Sequence, residues 1–132
     1  MATESLSRAR QAESNGDFLA ARMDYLKCVE SLKQAHDDAG LQTATEEYDA
    51  FVRRDPIFKA LISGLLPFIH SNPGILQSDI TQKVESLNWA NLYRSNRPLA
   101  KEDIYYALYF AGKFGMIKRI KKGRSYELWA AD

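Results

Sequence analysis

The sequence predicts a mainly helical α+β protein, with helices along most of the chain and a β-hairpin at its C-terminal end. Three observations predict it. Apolar residues recur at helical spacing through most of the chain. Turn-forming groups such as Asn15-Gly16 and Asn72-Pro73-Gly74 divide those stretches. After Gly115 two short runs flank a Lys-Lys-Gly-Arg turn, which is hairpin patterning.

Thr3 to Ser14 is rich in Ala, Arg and Glu, all good helix formers. Asn15-Gly16 breaks the run, and Asp17 is placed to cap the next helix by accepting from its free N–H groups. In that helix Phe18, Ala21, Tyr25, Cys28, Val29, Leu32 and Ala35 form one apolar stripe. Gly40 is predicted to end it, since glycine takes positive φ freely. A third stripe follows in Leu41, Ala44, Tyr48, Phe51 and Val52. Each of these helices has a single apolar side, so the three must pack on one another or on the second half.

Asp55-Pro56 is a start signal, an acidic cap followed by proline at a position whose N–H has no helical partner. Ile57, Phe58, Leu61, Ile62, Leu65, Leu66, Phe68 and Ile69 then give a broad apolar surface, and Pro67 should kink or loosen the last turn. Ile80, Val84 and Leu87 mark a short helix from about Gln77. Asn88 to Pro98 is the least regular stretch, with Trp89, Leu92 and Tyr93 suited to an extra turn. Lys101 to Phe114 is a further helix. Met116 to Ile120, the turn Lys121-Lys122-Gly123-Arg124 and Ser125 to Trp129 read as the hairpin.

Charge divides the chain. Residues 1–52 carry five Lys/Arg against ten Asp/Glu, a net −5, and residues 53–132 carry thirteen against seven, a net +6. This predicts two parts, a three-helix segment at 1–54 and a basic domain at 55–132 that can face a polyanion. The alternative is two solvated faces whose signs fell unevenly.

Several function classes find little support. The longest apolar run, Ala60 to Ile69, has ten residues, against roughly 20 for a membrane span, so no membrane partner is expected. Glu4, Arg8, Arg10 and Glu13 with no apolar stretch behind them predict no signal peptide. A single cysteine, Cys28, excludes an internal disulfide, and the expected compartment is the cytoplasm. Cys28 lies in an apolar stripe, where a small buried hydrophobe is its expected role. Neither His36 nor His70 has a second ligand at metal spacing, and there is no phosphate loop or nucleophile elbow. No metal, no cofactor and no enzymatic activity are expected.

Three helices, a glycine and a hairpin with a basic tip resemble the winged helix-turn-helix superfamily. NPGILQSDI (Asn72 to Ile80) is similar to that family's link between first and second helices, with Ile75 as a minimal strand beside the wing. KEDIYYALYFAGKFGMIKRIKKGRSYELW (Lys101 to Trp129) is similar to its third helix and wing. The resemblance implies a winged-helix domain at 55–132 against which the N-terminal helices pack. It also implies double-stranded DNA as partner: a protruding helix enters a major groove about 12 Å wide while the basic hairpin follows the backbone. Lys118, Arg119, Lys121, Lys122 and Arg124 would hold phosphates. Asn96, Arg97, Lys101, Glu102 and Tyr105 would approach base edges. The alternative for the wing cations is that they keep an edge strand soluble.

Two features depart from that family. Ile104 to Ala111 has no charged residue on any side, so beyond its first turn and one tyrosine its aromatics, Tyr106, Tyr109 and Phe110, are expected to pack on the N-terminal helices or a second subunit. The link before the third helix, about ten residues, exceeds the usual three or four. ARQAESNGDFLAARMDYLKCVESLK (Ala9 to Lys33) resembles a single tetratricopeptide helical hairpin. No second repeat follows, which favours a packing element or a homodimer contact over a peptide groove. The functional expectation is a small DNA-binding transcriptional regulator. The competing one is a protein–protein interaction adaptor that uses the same elements as a scaffold.

Overall fold

The computed structural model describes residues 2–84 and 101–131. The chain divides into two compact units, Met1–Pro56 and Ile57–Asp132.

The first unit holds helices α1 (Ala2–Ser14), α2 (Phe18–Gln34) and α3 (Asp38–Arg54). Asp17 caps α2 as its sequence position implies, its carboxylate accepting from the Ala20 N–H at 3.1 Å. Ala9 of α1 and Ala21 of α2 are fully buried, small side chains that let the two helices approach closely. Tyr25 then stacks on Tyr48, with ring centroids 6.0 Å apart, and packs on Phe51 at 4.9 Å. Cys28 is buried beside them as part of the core.

The end of α2 differs from the expectation. Gly40 does not terminate it; Gly40 stands in the first turn of α3. His36 takes the left-handed position instead, at φ 55°. The Asp37 N–H reaches the Leu32 carbonyl at 3.1 Å and the His36 N–H that of Lys33 at 3.2 Å. This is a Schellman ending, the one that Gly16 and Gly115 give α1 and the last helix. Gly40 is required by close approach: Asp37 caps α3 by accepting from the Gly40 N–H at 3.0 Å. A β-carbon at residue 40 would lie 2.6 Å from the Asp37 carboxylate.

The second unit contains α4 (Pro56–Ser71, entering from the join), β1 (Ile75–Leu76), α5 (Gln77–Val84), α6 (Lys101–Lys113), β2 (Ile117–Lys122) and β3 (Ser125–Ala130). Pro56 opens α4, and Pro67 lies within it without ending it before Ser71. Leu61, Leu65 and Ile69 on one side of α4 are fully buried or nearly so, each contributing about 1.5–3 kcal/mol. The strands form one antiparallel sheet in the order β1-β3-β2. α5 packs on β3 and α6 on β2, over the buried side chains of Ile117 and Leu128.

Two further expectations are corrected. The hairpin strand runs through Lys121 and Lys122, which pair with Tyr126 and Ser125, leaving a two-residue loop, Gly123-Arg124. Positive φ at Gly123 alone, 61°, suits the tight II′ connection. The Tyr106/Phe110 flank of α6 packs within its own unit. Phe58 of α4 meets Tyr106 and Phe114 edge-on at 6.2 and 6.1 Å, and Phe110 sits 5.4 Å from Tyr106 and 5.6 Å from Phe114. The predicted helix turn at Trp89, Leu92 and Tyr93 lies outside the described residues.

Candidate nucleic-acid interface

Strand alternation sorts the hairpin cations. Ile117, Arg119 and Lys121 share the face of β2 that carries the buried Ile117, while Lys118, Ile120 and Lys122 share the other. Lys118, Lys121, Lys122 and Arg124 are exposed. Lys122 lies 3.9 Å from Glu127 across the ladder. Arg124 occupies the loop beyond the last ladder pair, Lys122 with Ser125. Lys121, Lys122 and Arg124 stand together at the hairpin tip, while Lys118 lies towards the other end of the ladder, opposite Trp129; the tip cations are able to donate hydrogen bonds to successive phosphate oxygens.

Arg119 is a different case. Its guanidinium lies 4.1 Å from the Tyr126 ring centroid and 5.7 Å from that of Tyr109. Its Nη2 and Nε donate to Gln77 Oε1 at 3.1 and 3.4 Å. Its aliphatic stem covers Gly112, where a β-carbon would come within 2.7 Å of Arg119 Cδ. One side chain therefore joins β2, β3, α5 and α6. A further polar link holds α5 to the hairpin: Ser125 Oγ accepts from the Ser78 N–H at 3.3 Å.

On α6, Lys101 and Glu102 are exposed in the first turn, and Tyr105 is half-buried one turn on. Tyr109, at 51% exposure, continues the strip. Ile104, Ala107, Leu108 and Ala111 are fully buried on the opposite side. The exposed line from Glu102 through Tyr105 to Tyr109 leads to Arg119 and so to β2. Gln77 and Tyr126 belong to this surface and were not legible as such. Tyr109, expected to be packed with the other α6 aromatics, is instead exposed, because its side of the helix faces the Arg119 guanidinium and solvent. Asn96 and Arg97 lie outside the described residues.

The first unit carries the other polar concavity, a cleft of about 440 Å³ whose lining includes Arg10, Glu13, Tyr25, Glu47 and Arg54. Two ion pairs cross it from α1 to α3. Arg54 donates through Nε and Nη2 to Glu13 at 2.9 and 2.8 Å, and Arg10 pairs in the same two-pronged way with Glu47. The Arg54 hydrogen bonds hold the Glu13 carboxyl below its usual range. Burial pushes the Tyr25 phenol and the Cys28 thiol up, which leaves the thiol protonated and poorly nucleophilic at neutral pH. Every charge in the cleft already has its counter-charge, so it reads as a clamp. Among the described residues no group of His, Cys, Asp and Glu could hold a metal ion, and no helix is long and apolar enough to cross a membrane.

Comparison with known proteins adds no relative: no family model, no curated protein and no solved structure matches this chain.

Proposed function

We propose that residues 55–132 form a winged helix-turn-helix module that binds double-stranded DNA, and that the protein is a small, non-enzymatic transcriptional regulator of the cytoplasm. The observation that carries this reading is the hairpin tip, where Lys121, Lys122 and Arg124 are exposed within four residues of one another, with Lys118 exposed further along the same strand. The element order, a helix, a minimal strand, two helices and a hairpin with β1 beside β3, supports it. In this reading the hairpin cations hold backbone phosphates. The strip from Lys101 and Glu102 to Tyr105, with Asn96 and Arg97 before it, approaches base edges. Arg119 positions the hairpin against α6 and leaves phosphate binding to its neighbours. The acidic helices α1 to α3 would then serve as a homodimer contact that sets two modules on two half-sites.

The test is a fluorescence titration of labelled duplex DNA with the whole chain at rising salt. The reading predicts log affinity falling linearly with log salt, with a slope of about −0.9 for each phosphate held. No binding at low salt, or an affinity insensitive to salt, contradicts it.

A further inference from the structure

The core side of α6 carries Ile104, Ala107, Leu108 and Ala111. Its far side carries Tyr105, half-buried, and Tyr109, exposed. Steps of three and four residues set Glu102, Tyr105 and Tyr109 in one line along the helix. The Tyr109 ring is held where it stands. It meets Phe110 edge-on, with centroids 5.1 Å apart at 90°, and the Arg119 guanidinium lies 5.7 Å from its centroid. A ring already fixed loses little freedom when a ligand covers it. Arg119 has a closer ring in Tyr126, at 4.1 Å, and an acceptor in Gln77. Anchoring Arg119 therefore does not account for an aromatic left open to solvent at residue 109.

What this ring can contact follows from the proposed duplex binding, on which the inference rests. In the major groove the base edges present hydrogen-bond donors and acceptors, and one apolar group, the C5-methyl of thymine. The exposed line of α6 starts at a charged pair, Lys101 and Glu102, and continues as tyrosines. Along a groove it would pass from polar groups suited to donors and acceptors to a ring suited to a methyl. Phosphates would be met elsewhere, by the cations of the hairpin tip. We propose that Tyr109 is a specificity-determining residue that reads thymine, its ring packing on the C5-methyl group of a thymine in the major groove. A protein partner covering the same ring would leave duplex affinity indifferent to that methyl.

The test selects duplexes bound by the whole chain from a random pool. Each thymine of the selected site is then replaced in turn by deoxyuridine, which removes the methyl and keeps every hydrogen-bonding group. Anisotropy titrations at fixed low salt are expected to show affinity falling about fourfold at one position at least, what one buried methyl group contributes. Tyr109→Phe should keep that discrimination. Tyr109→Ala should bind the thymine and deoxyuridine duplexes equally at that position, a pattern that neither partial unfolding nor a purely structural role for the ring produces. Deoxyuridine tolerated at every position, or discrimination undiminished in Tyr109→Ala, overturns the assignment while leaving duplex binding in place. A selection that returns no bound duplex defeats the duplex reading itself, and this inference with it.

Discussion

Arg119 and Lys121 are two residues apart on the same face of β2, yet only Arg119 has its charge committed within the protein. Arg119 is stacked on Tyr126 and bonded to Gln77, so removing it loses a cation–π contact and hydrogen bonds to a charged group. Arg119→Ala is expected to destabilise the protein by about 1–2 kcal/mol in urea unfolding. Arg119→Lys should recover little of this, because an ammonium neither stacks as a plane nor offers a forked pair of donors. Lys121→Ala should change stability by less than about 0.5 kcal/mol while weakening duplex binding. If the two alanine variants cost the same stability, the division of labour drawn between these cations is wrong. His36 offers a test of the opposite sign. It holds φ 55° where Gly16 and Gly115 serve the other Schellman endings, so His36→Gly should raise stability, by up to about 1 kcal/mol, in the same assay.

Among the elements, α1 and α3 are tied across α2 by Arg54–Glu13 and Arg10–Glu47. Glu13 is held below its ordinary carboxylate range by Arg54, so its contribution is complete above the unfolded-state value, near 4.5. It is lost as pH falls through the lower folded value. Unfolding at pH 3 should therefore find the first unit weaker than at pH 6. Glu13→Gln should narrow that difference, by no more than about 1 kcal/mol because the pair is partly open to solvent. A pH dependence identical in the variant would remove Glu13 from the account. Elements defined by neighbours in sequence were readable without coordinates: the Asp17 cap, the Pro56 start, and the hairpin around Gly123. What escaped reading depends on distant partners or on backbone geometry. Ladder pairing, not local composition, carries β2 through Lys122. The role of Arg119 depends on Gln77, 42 residues earlier. The aromatic flank of α6 finds Phe58 on α4, a pairing that the apolar spacing within either helix does not specify. Gly40 reads as a terminator by composition, and only the position of the Asp37 carboxylate explains why it lies at a helix start.

For the whole molecule, a net charge of +1 conceals a basic C-terminal part, three of whose exposed cations, Lys121, Lys122 and Arg124, meet at the tip of the hairpin. The central claim is that Lys121 and Arg124 hold phosphates whereas Arg119 holds the fold. The most direct test is the salt dependence of duplex binding by Lys121→Ala/Arg124→Ala set against the parent chain. The account predicts an unchanged urea midpoint and a log–log slope shallower by about 1.8, two phosphate contacts at 0.9 each. A slope equal to the parent's, with folding intact, would contradict it.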